Sequence, residues 1–360
     1  SALRGTGDRR VSERYTALAL QMGTDCVNGC ADRASARQRM QSNLAGARRL
    51  IAGSKAFIKQ FAGTDVRLVV LPEYFLTGFP MGESVAEWRD KAALAPGGPE
   101  YEALGEIAQT FGIYLAGNAY EQDEHFPALF FQTCFVIDPS GDVVLRYRRL
   151  ISLSAPTPWD VWDRYLDVYG LEAVFPVART ELGNLAAIAS EEILYPEIAR
   201  CHAVRGAEVF LHHTSEVGSP ALTPKDVCKR ARAVENMAYV ISANSARLGN
   251  IPIPAESSTG MSKIVDHGGR VLAEAPAAAE SMVAHATIDL AGLREARHRA
   301  GMSNLLSRQP LELYAEAMAG IRMRPKNRLL KDGRVVEPGR GQLSAMQQED
   351  ILRLADEGLL

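Results

Sequence analysis

The chain has 360 residues, 47% of them apolar and 23% charged, with a formal net charge of −3. That mix is ordinary for a globular protein, and the mild negative balance excludes the basic surface of a general nucleic-acid binder. Length over ~150 residues per domain gives about 2.4 domains, a prior that large α/β folds routinely exceed.

In chain order, residues 1–14 are polar and lack the apolar stretch of a signal peptide, so they are expected as a flexible head outside the fold. A short strand is predicted over Ala17–Met22, then a long helix from Arg33 to Phe61. Met40, Leu44, Ala47, Ile51 and Ile58 mark its buried face, widened by Leu50, Phe57 and Phe61. Val66–Leu71 is a continuous Val/Leu run, as in a strand buried on both faces. A helix over 101–110 precedes a strand over Ile113–Tyr120. Phe131–Ile137 and Val143–Tyr147 flank Asp138-Pro139-Ser140-Gly141-Asp142, which reads as a hairpin. Val174–Val177 and Leu185–Ile188 suggest a second one, ending at Ser190.

A helix over 196–205 and a strand over Val209–His212 follow. Thr223-Pro224-Lys225-Asp226 is a helix start, with Thr as N-cap and Pro in the first helical position. Val227, Ala231, Val234 and Ala238 are predicted to face inward. Tyr239–Ala243, a hairpin of Ser262–Val265 with Val271–Ala273, and Val283–Ile288 are the remaining strands. Such alternation predicts mixed sheets between helical layers, without linker or internal repeat before about residue 315. Ile321–Arg340 carries seven basic and two acidic residues and reads as an extended arm. A capping box at Ser344–Gln347 predicts a last helix that stops at Gly358.

Five scattered cysteines (Cys26, Cys30, Cys134, Cys201, Cys228) make no disulfide framework and suggest a reducing, cytoplasmic setting. Cys201-His202 and His212-His213 lack metal-ligand spacing, so no metal is expected. There is no Gly-rich phosphate loop, so no nucleotide cofactor is expected either. No run of 18 apolar residues suggests a membrane span.

Chemistry is expected where polar residues sit at the C-terminal ends of apolar strands. Three places qualify: LPEYFLTGFP at 71–80, RYRRL at 146–150 and IASEEILYPE at 188–197. Taken singly, each reads equally well as a cap or a solvated edge. Their order and spacing together resemble the carbon–nitrogen hydrolase (nitrilase) superfamily, with KRARAVENMAYVISAN at 229–244 and STGMSKIVDHGG at 258–269 matching two later blocks. YPEIARCHAVRGAEV at 195–209 is most similar to the aliphatic-amidase branch. The resemblance runs from about residue 15 to 314.

The resemblance implies an α/β fold, a four-layer αββα sandwich with mixed β-sheets over 15–318, working as a homodimer or higher oligomer. It also implies that the tail, 319–360, crosses between subunits. Family chemistry uses a glutamate base, a lysine, a cysteine nucleophile and a second glutamate on a small-molecule amide or nitrile. Glu73 matches the base. Arg149 falls where the lysine belongs, Ser190 where the cysteine belongs, and Asp163 matches the second glutamate, with Asp160 the alternative. Glu192 matches an acid the family also carries; Glu191 is unusual. Tyr74, Glu191, Glu192, Trp159 and Glu216 are candidate substrate-binding residues, and loops at 79–87, 156–169 and 215–223 are expected to shape the pocket.

The substitutions change the chemistry. A serine hydroxyl is far harder to deprotonate than a thiol of pKa about 8.5 and needs a base acting during attack. A guanidinium stays charged and clamps carboxylates, where a lysine can give up a proton. Three functions are therefore open: a carbon–nitrogen hydrolase-like enzyme with a Glu-Arg-Ser site, a silent binding or scaffold member, or non-covalent condensation or dehydration with Glu73 as acid/base.

Overall fold

The computed structural model describes residues 12–216 and 223–360. The chain opens with β1 (Arg14–Ala19), β2 (Gly23–Asp25), α1 (Arg33–Ala62), β3 (Val66–Val70), α2 (Val85–Ala92) and α3 (Pro99–Phe111). Next come β4 (Tyr114–Gln122), β5 (Phe130–Ile137), β6 (Val143–Arg148), α4 (Trp162–Tyr169), β7 (Ala178–Thr180), β8 (Gly183–Ala189) and α5 (Pro196–Ala203). Then follow β9 (Val209–Thr214), α6 (Pro224–Asn236), β10 (Tyr239–Asn244), β11 (Arg247–Gly249), β12 (Lys263–Val265) and β13 (Val271–Glu274). The last elements are β14 (His285–Asp289), α7 (Leu290–His298), α8 (Leu311–Met318) and α9 (Gln342–Asp356).

Two six-stranded sheets form, in the orders β14-β1-β3-β4-β5-β6 and β7-β8-β9-β10-β12-β13. Across successive neighbours both run antiparallel, parallel, parallel, antiparallel, antiparallel. A repeat invisible in the sequence is thus present in the topology. Successive strand residues point to opposite faces, which builds the layers. Ala17, Leu68, Val70 and Ala116 meet Leu185, Ala187, Leu211 and Ile241 in the core between the sheets. Leu18, Val69 and Leu115 pack outward on Met40, Leu44 and Ile107 of α1 and α3. Ile188, Phe210 and Val240 pack outward on Ala199 and Ala233 of α5 and α6. The result is the four-layer αββα sandwich.

Several elements differ from the sequence expectation for identifiable reasons. The first strand starts at Arg14, inside the head expected to be flexible, because Arg14–Leu18 pairs with Asp289–His285 of β14; residues 1–11 lie outside the described residues. Phe57 and Phe61 do not widen the buried face of α1; they are exposed and stack on each other at 4.1 Å. The first arm of the second hairpin is Ala178–Thr180, pairing with Leu185–Gly183, not 174–177.

Helix α6 is inverted relative to its apolar pattern. Val227 and Val234 are exposed, while Lys229, Arg232 and Asn236 are buried. Polar side chains can be buried there because each finds a partner: Lys229 pairs with Glu216 (2.7 Å), Arg232 donates to Ile193 O (2.9 Å), and Asn236 donates to Arg232 O (2.9 Å). Helix α9 is preceded by Gly341 at φ 73°, without a side-chain cap, so the Ser344 box is not its start.

Within one chain the segment 319–360 lies back along α2 and α4. Asn327 N donates to Trp159 O (3.0 Å) and Leu329 N to Asp160 O (2.9 Å). Leu329, Met346 and Leu354 are buried. Four of the seven basic residues of the arm are paired with acids: Arg324 with Asp160, Lys326 with Asp163, Arg328 with Glu349 and Asp350, and Arg340 with Glu87. Among the described residues the cysteines are all free, no group of three or more His, Cys, Asp or Glu is placed to hold a metal ion, and no helix is long and apolar enough to cross a membrane.

Candidate active site

The parallel strands β3, β8 and β9 end on the same side as β6 and bring the candidate residues together. After β3, the chain turns through Leu71-Pro72 into Glu73. His213 on β9 fixes the turn, its Nδ1 bonding Leu71 O at 2.7 Å, and Glu73 N donates to Thr214 O at 3.3 Å. Tyr74 sits at φ 62° and Gly78 at φ 75°. A Cβ at Gly78 would lie 2.5 Å from Cys26 Sγ, so only glycine fits the close approach that shapes this loop. The Glu73 carboxylate is fully buried. Its Oε1 accepts from Gln132 Nε2 (2.7 Å) and Arg149 Nη1 (3.3 Å), and its Oε2 has no hydrogen-bond partner.

Arg149 follows β6, its backbone N bonded to Gln132 O at 2.9 Å. The side chain is buried and every nitrogen has a partner. Nε donates to Ile151 O (2.6 Å), Nη1 to Gln132 Oε1 (2.7 Å) as well as Glu73, and Nη2 to Glu191 Oε1 (2.5 Å). Burial opposes its charge, but Glu73, Tyr74, Glu191 and Glu192 around it hold its pKa well above the ordinary arginine value. Arg149 and Glu73 share a single contact through one nitrogen, not a closed two-bond clamp.

Ser190 begins the tight turn that ends β8, at φ 48°, a left-handed conformation that costs a non-glycine residue on the order of 1–3 kcal/mol. His212 holds it there. Burial keeps that imidazole neutral, so Nε2–H donates to Ser190 O (2.8 Å) while Nδ1 accepts from Ser242 Oγ (2.8 Å). The adjacent histidines of β9 are therefore two backbone clamps, one on each loop of the site. Ser190 Oγ accepts from Lys225 Nζ at 3.2 Å, and the same ammonium reaches Thr214 Oγ1 at 3.5 Å.

The two acids after Ser190 diverge. Glu191 is partly exposed and reaches Arg149. It also lines a cleft of about 220 Å³ with Ile151, Tyr195, Arg324 and Met346. Glu192 is buried and ties the ends of β6 and β8: its Oε1 accepts from Leu150 N (2.7 Å) and Ile151 N (3.0 Å), its Oε2 from Tyr147 Oη (2.7 Å). Burial pushes its pKa up to about 7, against the pull of Arg149 and these donors.

The structure thus gathers Glu73, Arg149, Ser190, Glu191 and Glu192, and leaves other candidates out. Asp163 lies on the exposed face of α4, held by Lys326 (2.6 Å) and Asn327 (2.7 Å), because the helix turns it toward the tail and away from the strand ends. Asp160 is buried, but its oxygens serve Thr157 and Arg324. Trp159 packs at a tilt against Trp162 and donates to Arg324 O, a packing role against the tail. Tyr74 stacks on Tyr120 and packs at a tilt on Phe79 beside Glu73, and burial followed by the Glu73 charge raises its pKa. Glu216 accepts from Lys229 and from Thr223 Oγ1 (3.0 Å). Of its loop, residues 217–222 lie outside the described residues.

Four participants were missed in the sequence: Gln132, His212, His213 and Lys225. Gln132 had a signal, as a lone amide inside the apolar run of β5.

The family model for carbon–nitrogen hydrolases matches residues 32–298. Omega-amidase NIT2 of Homo sapiens is 25% identical over 244 residues, 68% of this chain and 84% of its own. The Danio rerio omega-amidase NIT2 is 24% identical over 246 residues, covering 68% and 84%. The crystal structure of Saccharomyces cerevisiae Nit3, of the nitrilase superfamily, superposes with a TM-score of 0.61 at 20% identity, over 81% of this chain and 96% of that one. With the family model matched across most of its length and the four layers in place, this chain belongs to the carbon–nitrogen hydrolase family.

Proposed function

We propose that the protein hydrolyses a carbon–nitrogen bond of a small amide, nitrile or related substrate, with a Glu-Arg-Ser site replacing Glu-Lys-Cys. The observation that carries this reading is Ser190. A residue of a decayed site has no reason to keep a strained φ of 48° with its carbonyl pinned by a buried neutral histidine. In this reading Ser190 Oγ attacks the substrate carbon and Glu73 takes the hydroxyl proton on its free Oε2. The same proton then goes to the leaving nitrogen, and water hydrolyses the ester. Arg149 and Gln132 position Glu73.

The omega-amidase relatives make ω-amides the first compounds to assay for ammonia release. Wild type should release ammonia and carry an acyl adduct at Ser190 by intact mass, and Ser190→Ala should lose activity on the order of 10³-fold or more. Full activity in Ser190→Ala would sink the reading.

The silent-scaffold reading is favoured by one observation, the full engagement of Arg149 by protein partners; no adduct and no turnover would select it. The proposal includes a homo-oligomer, in which the tail exchanges the contacts it makes with residues 82–89 and 159–163 of its own chain for the same contacts on a neighbour. Sedimentation should give a dimer or larger, and a monomer at micromolar concentration would overturn that part.

A further inference from the structure

The reaction proposed above needs a positive charge at the attacking oxygen, and Arg149 is poorly placed to supply it. Its nitrogens already face Glu73, Gln132, Glu191 and the carbonyl of Ile151. Its charge is answered by two carboxylates before any substrate arrives. Lys225 is the opposite case. Its described hydrogen-bond partners are two hydroxyls, Ser190 Oγ at 3.2 Å and Thr214 Oγ1 at 3.5 Å, and it is half-buried. The nearest carboxylates are engaged by other cations: Glu216 by Lys229 at 2.7 Å, and Asp226 by Lys263.

The placement also runs against local preference. Thr223 caps α6, accepting from Asp226 N at 3.2 Å, so Lys225 stands in the first turn. A cation there opposes the helix dipole and is unfavourable on that account. A local rule broken at a strand-end cluster marks a functional position, and the one described acid shown to feel the Lys225 charge, Glu216, is hydrogen-bonded to Lys229 instead.

We propose that Lys225 is the catalytic cation of the site, a role that rests on Ser190 being the nucleophile. Its ammonium donates to Ser190 Oγ and lowers the proton affinity of that oxygen. As the Oγ–C bond forms, the hydroxyl proton passes to Glu73 and the carbonyl electron pair moves onto oxygen. Lys225 stabilises the partial charge on Oγ during attack and then the negative charge on the former carbonyl oxygen, until the intermediate collapses and the amine leaves with the proton from Glu73. Lys225 keeps its own three protons throughout. The cationic role that family chemistry gives to one lysine is here divided: Arg149 orients the base and Lys225 stabilises the charge.

The test uses the full-length protein and two probes, a fluorophosphonate and p-nitrophenyl acetate, with the adduct mapped to Ser190 by peptide mass. In the first, Oγ–P forms as P–F breaks and fluoride leaves. In the second, Oγ–C forms as p-nitrophenolate leaves. Wild type should label at Ser190 and Ser190→Ala should not. Lys225→Met should label on the order of 10²–10³-fold more slowly, as loss of one transition-state donor does. Lys225→Arg, which keeps the charge, should recover at least tenfold of that loss. The pH profile should keep its shape in both variants, since no proton moves through Lys225.

Wild-type rates in Lys225→Met, with Ser190 still labelled, overturn this inference and leave the proposed function standing. A pH profile whose basic limb vanishes in Lys225→Met also overturns it, by making the lysine a base. Absence of any Ser190 adduct in wild type with both probes overturns the proposed function and this inference with it. Melting temperatures check folding, and Lys225→Arg decides the question alone if Lys225→Met is unstable.

Discussion

Arg149 and Lys225 reach consecutive residues, Glu191 and Ser190, yet their surroundings are opposites. Arg149 is buried, with Glu73 and Glu191 on its two outer nitrogens. Lys225 is half-buried between two hydroxyls. The difference teaches that the partners of a cation decide its role. One enclosed by carboxylates fixes the geometry of those carboxylates, and removing it leaves a buried charge uncompensated. One among hydroxyls keeps its field available for charge that appears only during reaction.

The largest expected effect separates the two on stability. Arg149→Met leaves the Glu73 carboxylate fully buried with no cation on it and only the neutral Gln132 and Tyr74 beside it, which should cost about 3–5 kcal/mol of unfolding free energy. Lys225→Met strips two hydroxyls of a half-exposed partner and should cost no more than about 1 kcal/mol. Urea denaturation of both variants measures the contrast. Equal losses would mean that both cations are structural.

A second effect, on the order of 3 kcal/mol, sharpens the Arg149 side through Glu192. Its folded pKa is raised by burial to about 7 from an ordinary value near 4.5. Between those values the folded state binds more protons than the unfolded chain, so this group stabilises the fold fully below about 4.5. That contribution is lost as pH rises through about 7. His213 works in the opposite sense: burial lowers its pKa to about 4, so its contribution is complete above about 6.5 and lost as pH falls. The difference between wild type and Glu192→Gln therefore isolates the carboxyl. Wild type should lose stability relative to the variant between pH 5 and pH 8. A constant difference across that range would show that Arg149 and the Leu150 and Ile151 amides, not burial, set the Glu192 charge.

Much of this was legible in the sequence because it rests on short-range pattern. The apolar runs 66–71, 143–147 and 185–188 read as strands, and their C-terminal ends located Glu73, Arg149 and Ser190. What was not legible depends on long-range pairing. The inward face of α6 reads as Val227 and Val234, but Lys229 is buried because Glu216, thirteen residues back, meets it across a loop. Helices α2 and α4 have too few periodic apolar residues to announce themselves. Lys225 was visible only as part of a helix start, since nothing local says that the turn after Ala189 comes to rest against it. The surroundings of Asp163 were illegible for the same reason, since its partners Lys326 and Asn327 lie far along the chain. A carboxylate does reach Arg149, but it is Glu191, beside Ser190 itself, and not an acid of the 156–169 loop.

That last point yields the smallest expected effect and the most direct check on which acids belong to the site. Asp163 meets Lys326 and Asn327 on the surface, and its hydrogen bond from Lys326 lowers its pKa. Removing its charge should loosen the tail at Asn327 while leaving Glu73, Arg149 and Ser190 untouched. Asp163→Asn should therefore label at Ser190 within about twofold of wild type, as a surface change remote from the reacting atoms does. Glu191→Gln, which weakens a contact made by Arg149, should change the labelling rate more. A tenfold loss in Asp163→Asn would reverse the assignment. It would require the loop at 156–169 to swing its acid into the strand-end cluster when substrate binds, and the tail contacts at Lys326 and Asn327 to open with it.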